Sequence, residues 1–228
     1  MRRFLADASH ELRTPATVLR GGSQVLLRGV GRGDPDLVAG LQDMHEEAIR
    51  LSRLVDDLLT LSRIDAGQTL APEPVAVGPF LKSFLDRYKD LWPARDLCLD
   101  TGEIDGTMAF VDPEALRRML TNLVDNAARY SRPKGAIALK AASEEGGVRI
   151  AVCDEGPGLS ADDASRVFDR FYRANKSRSR DSGGTGLGLS IVHGLVEGSH
   201  GEIGIDTAPD RGTAVSIKLP RPSADRSA

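Results

Sequence analysis

The first 62 residues carry apolar side chains at alternating spacings of three and four, and this period constrains the fold more than any other feature of the chain. Leu5, Ala8, Leu12, Pro15, Leu19, Gly22 and Leu26 mark one run. Leu37, Leu41, Met44, Ala48, Leu51, Val55 and Leu58 mark a second. Between them Gly29-Val-Gly-Arg-Gly-Asp-Pro35 breaks the pattern. Asp34 reads as an N-cap, because its carboxylate can accept from the orphan amides of a helix start. Pro35 fits the first helical position, where a missing N–H costs nothing. Two heptad-spaced helices joined by a short loop predict a helical hairpin. One such hairpin has a long apolar seam and too little else to cover it. Two copies cover it as a four-helix bundle, so the pattern predicts a homodimer.

The period changes after residue 66. Gly67 suits a helix C-cap, and Pro72 and Pro74 stop its continuation, which marks a linker over 67–75. Beyond it the pattern predicts helices over Gly78–Trp92, Pro113–Tyr130, Ala161–Phe171 and Leu187–Ser199. Strands are predicted at 97–101, 107–111, 136–142, 148–153, 201–207 and 213–219. This mixture is not a strict strand–helix alternation and points to a layered α/β sandwich. The expected organisation is therefore α followed by α/β: a hairpin over 1–66, the linker, an α/β domain over 76–220, and a disordered tail over 221–228.

The 228 residues suffice for two small domains. A net charge of −3 gives no reason to expect a polyanion partner, and only 4% aromatic residues argues against stacking on single-stranded nucleic acid. Cys98 and Cys153 each sit in an apolar run and read as buried thiols in a reducing compartment, not as a disulfide framework. The sequence shows no signal peptide and no apolar run near the roughly 18 residues of a membrane span. Met1-Arg-Arg leads directly into the first amphipathic run. The chain thus reads as the soluble part of something longer.

Within the first run lies Ser9-His10-Glu11-Leu12-Arg13-Thr14-Pro15. With Leu5, Ala8, Leu12 and Pro15 at heptad positions a, d, a and d, His10 falls at f, farthest from the seam. On its own such a histidine is most simply a solvated side chain. None of the four histidines has zinc-site spacing. The neighbours add chemistry. Thr14 lies one turn on, on the same face. Pro15 crowds the carbonyl of Glu11 and bends the helix just past His10, at a cost of about 3 kcal/mol. Neutral imidazole is a nucleophile near pH 7. The adjacent Glu11 carboxylate can accept the ring proton that leaves when the other nitrogen attacks.

Three further stretches bear on phosphoryl chemistry. In the helix over 113–130, Leu116, Leu120, Leu123 and Ala127 form one face. Asn122, Asn126 and Tyr130 form another, with Arg129 alongside. That polar face is either solvated or built for a ligand, and one Asn carbonyl with a triphosphate would satisfy Mg²⁺. Asp154-Glu-Gly156-Pro-Gly158 follows a strand. It matches a dinucleotide fingerprint only loosely, whereas an Asp at a strand end can accept from an exocyclic amine such as adenine N6. Gly184-Thr185-Gly186-Leu187-Gly188-Leu189 opens a helix whose amides could face a phosphate, without the Lys of a P-loop. Arg173, Lys176, Arg178 and Arg180 precede it, and this basic segment reads as a lid or as a plain surface loop.

Together these motifs resemble a bacterial sensor histidine kinase, in its cytoplasmic transmitter region, over about residues 2–220. The stretch from Ser9 to Pro15 looks like the family's H box. Asn122-Leu-Val-Asp-Asn126-Ala-Ala-Arg129-Tyr130 looks like its N box and Asp154-Glu-Gly156-Pro-Gly158 like G1. Phe168-Asp-Arg-Phe171-Tyr-Arg173 looks like the F box and Gly184-Thr-Gly186-Leu-Gly188-Leu like G2. The resemblance implies a dimerising phosphoacceptor hairpin followed by a Bergerat-type ATP-binding domain, with ATP and Mg²⁺ as cofactors. It implies His10 as phosphoacceptor, Glu11 as general base, and transfer of the phosphoryl group to an Asp in the receiver domain of a response regulator. Thr14 resembles the residue that helps hydrolyse that phosphorylated partner. Asn126 would hold Mg²⁺ with Asn122 beside it, and Arg129, where relatives often carry Lys, would meet the phosphates. Tyr130 would pack near the nucleoside, Asp154 would read adenine, and Gly156 and Gly158 would shape the pocket. Phe168 and Phe171 would anchor the lid, and Arg173 would reach the γ-phosphate. Gly184, Thr185, Gly186, Leu187 and Gly188 would border the triphosphate, and Thr213 would line the adenine pocket. Two positions depart from the family pattern: Ala16 after Pro15, and Val215 where Phe is common. A plain ATPase or ATP-driven clamp would use the last motifs but not the H box, and a nucleotide-binding scaffold would use neither His10 nor Glu11.

Overall fold

Helix α1 spans Pro35–Asp65 and starts at the proline, as the sequence predicts. The computed structural model of the chain describes residues 19–20, 23–24, 35–67, 70–91, 95–102, 104, 106–132, 135–174 and 185–222. His10, Glu11, Thr14 and Gly184 lie outside these residues, as do Lys176, Arg178, Arg180 and the last six positions of the tail. At the end of α1 the amide of Ala66 donates to Ser62 O (3.0 Å) and that of Gly67 to Ile64 O (2.9 Å), which satisfies carbonyls the helix leaves open. The heptad rows are unequal: Leu41, Ala48 and Val55 are buried, whereas Met44 is 54% exposed and Leu51 and Leu58 are half-buried. Residues 19–20 and 23–24 are also helical. The buried Ser23 donates to Arg20 O (3.0 Å) and lies 3.1 Å from His45 Nδ1, so the first helical run touches α1.

From residue 69 the chain forms a separate α/β unit. Its elements are β1 (Glu73–Ala76), α2 (Val77–Leu91), β2 (Leu97–Thr101), β3 (Met108–Val111), α3 (Pro113–Tyr130), β4 (Ile137–Glu144), β5 (Gly147–Asp154), α4 (Ala161–Ala164), α5 (Gly188–Gly198), β6 (Glu202–Thr207) and β7 (Thr213–Pro220). Five strands form a mixed sheet in the order β2-β4-β5-β7-β6, parallel only between β2 and β4. Strand alternation buries Ile137, Leu139, Ala141, Ile150, Val152, Val215, Ile217 and Leu219 on one face. Helices supply the other half of this core: Leu81, Phe84 and Leu85 from α2, Leu116, Met119, Leu120 and Leu123 from α3, and Ile191, Val192 and Leu195 from α5. This is the layered α/β sandwich the sequence predicts.

Helix α3 is held at both ends. Asp112 Oδ1 accepts from Glu114 N (2.8 Å) and Ala115 N (3.1 Å), as an N-cap should. At the other end the Arg95 guanidinium donates to Ala128 O (2.6 Å) and Arg132 O (2.7 Å), placing a cation on the carbonyl end of the helix dipole.

Three expectations need correction. Residues 73–76, inside the predicted linker, form β1 and pair antiparallel with β3. A four-residue strand containing proline is tolerated in a two-stranded ribbon and leaves almost no alternation to read. The predicted helix Ala161–Phe171 closes only one α-turn. The chain then advances by three-residue turns (Arg166 N to Asp163 O, Asp169 N to Arg166 O, Tyr172 N to Asp169 O), and Phe171 adopts φ +62°. Local polar side chains compete with the helix here: Ser165 Oγ donates to Asp162 O (2.8 Å). Finally, Cys98 is exposed and Cys153 only half-buried, although both read as buried thiols. Their register, Cys98 beside Ala138 beside Cys153, puts both on the sheet face away from the helices. Both are free thiols.

Candidate nucleotide site

The base of the site forms where β5 ends. Ile137, Asp154, Thr213 and Thr207 are consecutive partners across β4, β5, β7 and β6, so they share the last row on the helix-covered face. Asp154 Oδ1 accepts from Gly156 N (2.7 Å). Burial pushes the Asp154 carboxyl above its ordinary 3.8, and hydrogen bonds from the amides of Gly156 and Thr213 oppose that rise. A half-buried carboxylate fixed by backbone amides is a rigid acceptor for an amine donor. Thr213 stands half-buried beside it.

Two glycines allow the chain to close on this carboxylate. Gly158 sits at φ +66°, and a Cβ there would fall 1.8 Å from Ala208 O. Gly212 sits at φ +75°, and its Cβ would fall 2.1 Å from Asp154 O. Both conformations and both approaches exclude a larger residue. The resulting contact is sealed by Asp210 N donating to Pro157 O (2.7 Å) and Leu159 N donating to Thr207 Oγ1 (3.0 Å). Gly156 backs onto the Tyr130 carbonyl, so the end of α3 meets the turn after β5. Tyr130 itself is 43% exposed at the rim.

The polar face of α3 continues from there. Asn122 Nδ2 donates to Arg118 O (3.0 Å), and its Oδ1 packs against Gly188 at the start of α5. Asn126 and Arg129 are half-buried and make no side-chain hydrogen bond or ion pair among the described residues. An open amide oxygen and an open guanidinium three residues apart suit a metal–phosphate group: the oxygen is a hard ligand and the cation offsets charge. No cluster of three or more His, Cys, Asp or Glu among the described residues could hold a metal. A single amide oxygen fits a divalent cation that arrives with phosphates and waters, for which Asn126 would be the protein ligand.

Helix α5 supplies the far end. Leu187 is fully buried at its N-cap position, and no side-chain hydrogen bond caps the helix. Amides at such a start point outward and favour an anion. Gly186, Gly188 and Thr185 flank it, each half-buried.

The segment before the predicted lid is tied by contacts only partly visible in the sequence. The Phe168 ring lies 5.7 Å from the His193 ring on α5. Phe171 is 60% exposed, so its side chain does not anchor the segment by burial; its amide does the tying, donating to Gly186 O (2.9 Å). Arg173 is half-buried nearby in sequence. Residues outside the sequence reading carry the rest. Tyr172 Oη donates to Asp163 Oδ1 (2.7 Å), Ser160 Oγ donates to Asp163 Oδ2 (2.7 Å), and the Arg166 guanidinium lies 4.4 Å over the Tyr172 ring. The Ser160 and Tyr172 hydroxyls hold the Asp163 carboxyl below its usual 3.8, and Asp163 raises the Tyr172 phenol above 10.0. The Ser160-x-x-Asp163 spacing of a helix start was readable; the return of Tyr172 to it was not.

The carboxylate held by amides at a strand end, the Asn-bearing helix and the glycine-opened helix start have the chemistry that a nucleotide requires. Residues 111–223 match the family described as histidine kinase-, DNA gyrase B-, and HSP90-like ATPase, and residues 1–67 match the His Kinase A (phospho-acceptor) domain. With both domains in one chain, the protein belongs to the sensor histidine kinase family. It is 38% identical over 222 residues to the signal transduction histidine-protein kinase BaeS of Escherichia coli K12, covering 96% of this chain and 47% of BaeS. It is 32% identical over 220 residues to the sensor protein SrrB of Staphylococcus aureus NCTC 8325, covering 96% of this chain and 38% of SrrB. The chain thus spans less than half the length of these relatives. Among solved structures, the Acinetobacter baumannii histidine kinase AdeS superposes with a TM-score of 0.65 at 28% identity, over 94% of this chain and 98% of that one. Full-length ShkA, crystallised with AMPPNP, superposes with a TM-score of 0.76 at 25% identity, over 98% and 47%.

Proposed function

We propose that this chain is the transmitter core of a two-component sensor kinase, which uses ATP to phosphorylate its own His10 and passes the phosphoryl group to an Asp of a response regulator receiver domain. The observation that carries this reading is the Asp154 carboxylate, fixed by the Gly156 amide (2.7 Å) at one end of a site whose other walls are the open Asn126 and Arg129 and the uncapped start of α5. An ATP site of that kind supplies a phosphoryl donor, and the phospho-acceptor domain over 1–67 supplies a histidine to receive it.

In this mechanism Asp154 and Thr213 hold adenine, with Gly156 and Gly158 shaping the pocket and Tyr130 at its rim. Arg129 and the amides at the start of α5, bordered by Gly184, Thr185, Gly186, Leu187 and Gly188, hold the phosphates. Asn126, with Asn122 beside it, would hold Mg²⁺, which when bound offsets charge on the phosphates. Phe168 and Phe171 root the lid and Arg173 reaches the γ-phosphate. The His10 ring nitrogen attacks the γ-phosphorus in line, the bond from that phosphorus to the β–γ bridging oxygen breaks, ADP leaves, and Glu11 takes the proton from the other ring nitrogen. Transfer then breaks the N–P bond and forms an acyl phosphate on the regulator. Thr14 serves the reverse task, orienting water for hydrolysis of that acyl phosphate.

The hairpin over 1–66 pairs with a second copy. Met44, Leu51 and Leu58, the less buried heptad row of α1, supply its apolar seam. A short linker and the ATP-binding domain follow, and β1 (Glu73–Ala76), paired with β3, belongs to that domain. No helix among the described residues is long and apolar enough to cross a membrane. We place the chain on the cytoplasmic side, below a membrane-borne sensor.

Labelling with γ-³²P-ATP tests this reading on the wild type and His10→Gln. Acid-labile, alkali-stable label on the wild type and none on the variant is expected. Equal label on both overturns His10 as acceptor, and released phosphate with no labelled protein identifies a plain ATPase.

A further inference from the structure

Thr207 lies outside every motif, yet three hydrogen bonds converge on its hydroxyl. It accepts from Leu159 N (3.0 Å), donates to Gly212 O (2.9 Å), and lies 3.1 Å from Thr213 Oγ1. A threonine hydroxyl has one proton. Gly212 O, a carbonyl, can only accept, so the Thr207 proton goes there. The third bond then has one possible donor: Thr213 gives its proton to Thr207. Thr213 keeps only lone pairs to present elsewhere. Its neighbour in the same sheet row is Asp154, also an acceptor.

We propose that Thr207 is a specificity-determining positioning residue, which takes the Thr213 hydroxyl proton and so turns the base end of the nucleotide site into a paired-acceptor surface selective for an amino purine. The inference rests on the reading of Asp154 as the base-recognising carboxylate. Adenine offers the two N–H donors of its exocyclic amine to two acceptors. Hypoxanthine and guanine carry a carbonyl oxygen at that position, and an oxygen facing two acceptors has no proton to share. A threonine free to rotate would donate to that oxygen and lose the discrimination. Selectivity therefore depends on a residue that need not touch the base, through the turn that joins β6 to β7.

The test compares ADP and IDP binding by calorimetry on the whole chain, since these nucleotides differ at that position and neither donates a γ-phosphoryl group. In Thr207→Val the Thr213 proton is released, and the preference for ADP over IDP narrows about five- to tenfold. Thr207→Ser keeps the hydroxyl and restores the preference. A merely structural Thr207 would weaken both nucleotides alike, so an unchanged ratio in Thr207→Val overturns the inference. Should that variant fail to fold, Thr213→Val removes the other end of the same bond: a narrowed ratio supports the inference and an unchanged one overturns it. Asp154→Asn separates the two layers. If it collapses ADP binding while Thr207→Val leaves the ratio unmoved, only the role of Thr207 falls. If it leaves ADP binding intact, the reading of Asp154 falls and the inference with it.

Discussion

Asp154 and Asp163 stand at opposite ends of one loop system, and the fold treats their carboxylates in opposite ways. Asp154 is half-buried and held by backbone amides, and burial raises its pKa. Asp163 is held by the hydroxyls of Ser160 and Tyr172, and those bonds lower its pKa. Backbone amides cannot rotate away, so the geometry around Asp154 is as rigid as the sheet row that carries it. Hydroxyls on side chains can let go. The Asp154 end is thus preorganised, and the stretch from Ser160 to Tyr172 is fastened by side-chain bonds that can break and remake.

The largest effect expected from this contrast lies at the rigid end. Gly158→Ala must combine φ +66° with an overlap against Ala208 O, a backbone atom that cannot rotate aside. Thermal unfolding should show a loss of roughly 3 kcal/mol or more, about 6–12 °C in Tm. A Tm within a degree or two of wild type would mean that the turn is not rigid, and the comparison would fail at its first term.

Next in size is Asp154→Asn. It keeps the shape of the side chain but loses the charge that accepts from amides and amine. ADP affinity should fall roughly 10- to 100-fold by calorimetry, the worth of a charged hydrogen bond. Retained affinity would show that the carboxylate holds only its own loop.

Acidification separates the two carboxylates by sign. The folded-state pKa of Asp154 is raised, so its contribution to stability is complete below the unfolded value of 3.8 and is lost as pH rises through the folded value. Asp163 has a lowered pKa, so its contribution is present above 3.8 and is lost as pH falls through its folded value. On the proposed reading of Asp154 as the adenine acceptor, ADP binding should weaken as pH falls from neutrality toward 3.8, and the Asp154→Asn variant should flatten that dependence. A dependence that survives in Asp154→Asn would assign the titration to another group.

The rigid end was also the more readable one in the sequence. Leu116, Leu120, Leu123 and Ala127 mark the buried face of α3 by period alone, and Asn122, Asn126 and Arg129 follow as its open face. Strands β4, β5 and β7 alternate cleanly because helices cover one face. Reading failed where side chains, not period, decide the backbone. The turns after Ala164 look helical in composition, but Ser165 and its neighbours bond their own backbone instead. Cys98 sits among apolar residues, yet its burial depends on which sheet face the helices cover, a tertiary fact. Thr207 is one hydroxyl among several until β6 and β7 set it beside Thr213. Phe171 belongs to the family motif, but its backbone, not its ring, makes the contact with Gly186.

The smallest effect belongs to the lid root. Tyr172→Phe removes the bond to Asp163 but keeps the ring under Arg166, so the cation–π contact survives. Both partners of the lost bond are half-buried and remain in reach of water, so its net contribution to folding is small. Tm should stay within about 2 °C of wild type, and ADP affinity should change less than about threefold. What should change is how readily protease cuts the chain that follows Tyr172. Limited proteolysis of the Arg-rich segment 173–180 should be several-fold faster in Tyr172→Phe without nucleotide, because the fastening is gone while the base-reading end is intact. Asp163→Asn keeps an oxygen able to accept from Tyr172 and should fall between the two. Equal cleavage rates in all three proteins would mean that the side-chain fastening does not hold the segment, and the division of the site into a backbone-built end and a side-chain-built end would lose its functional meaning.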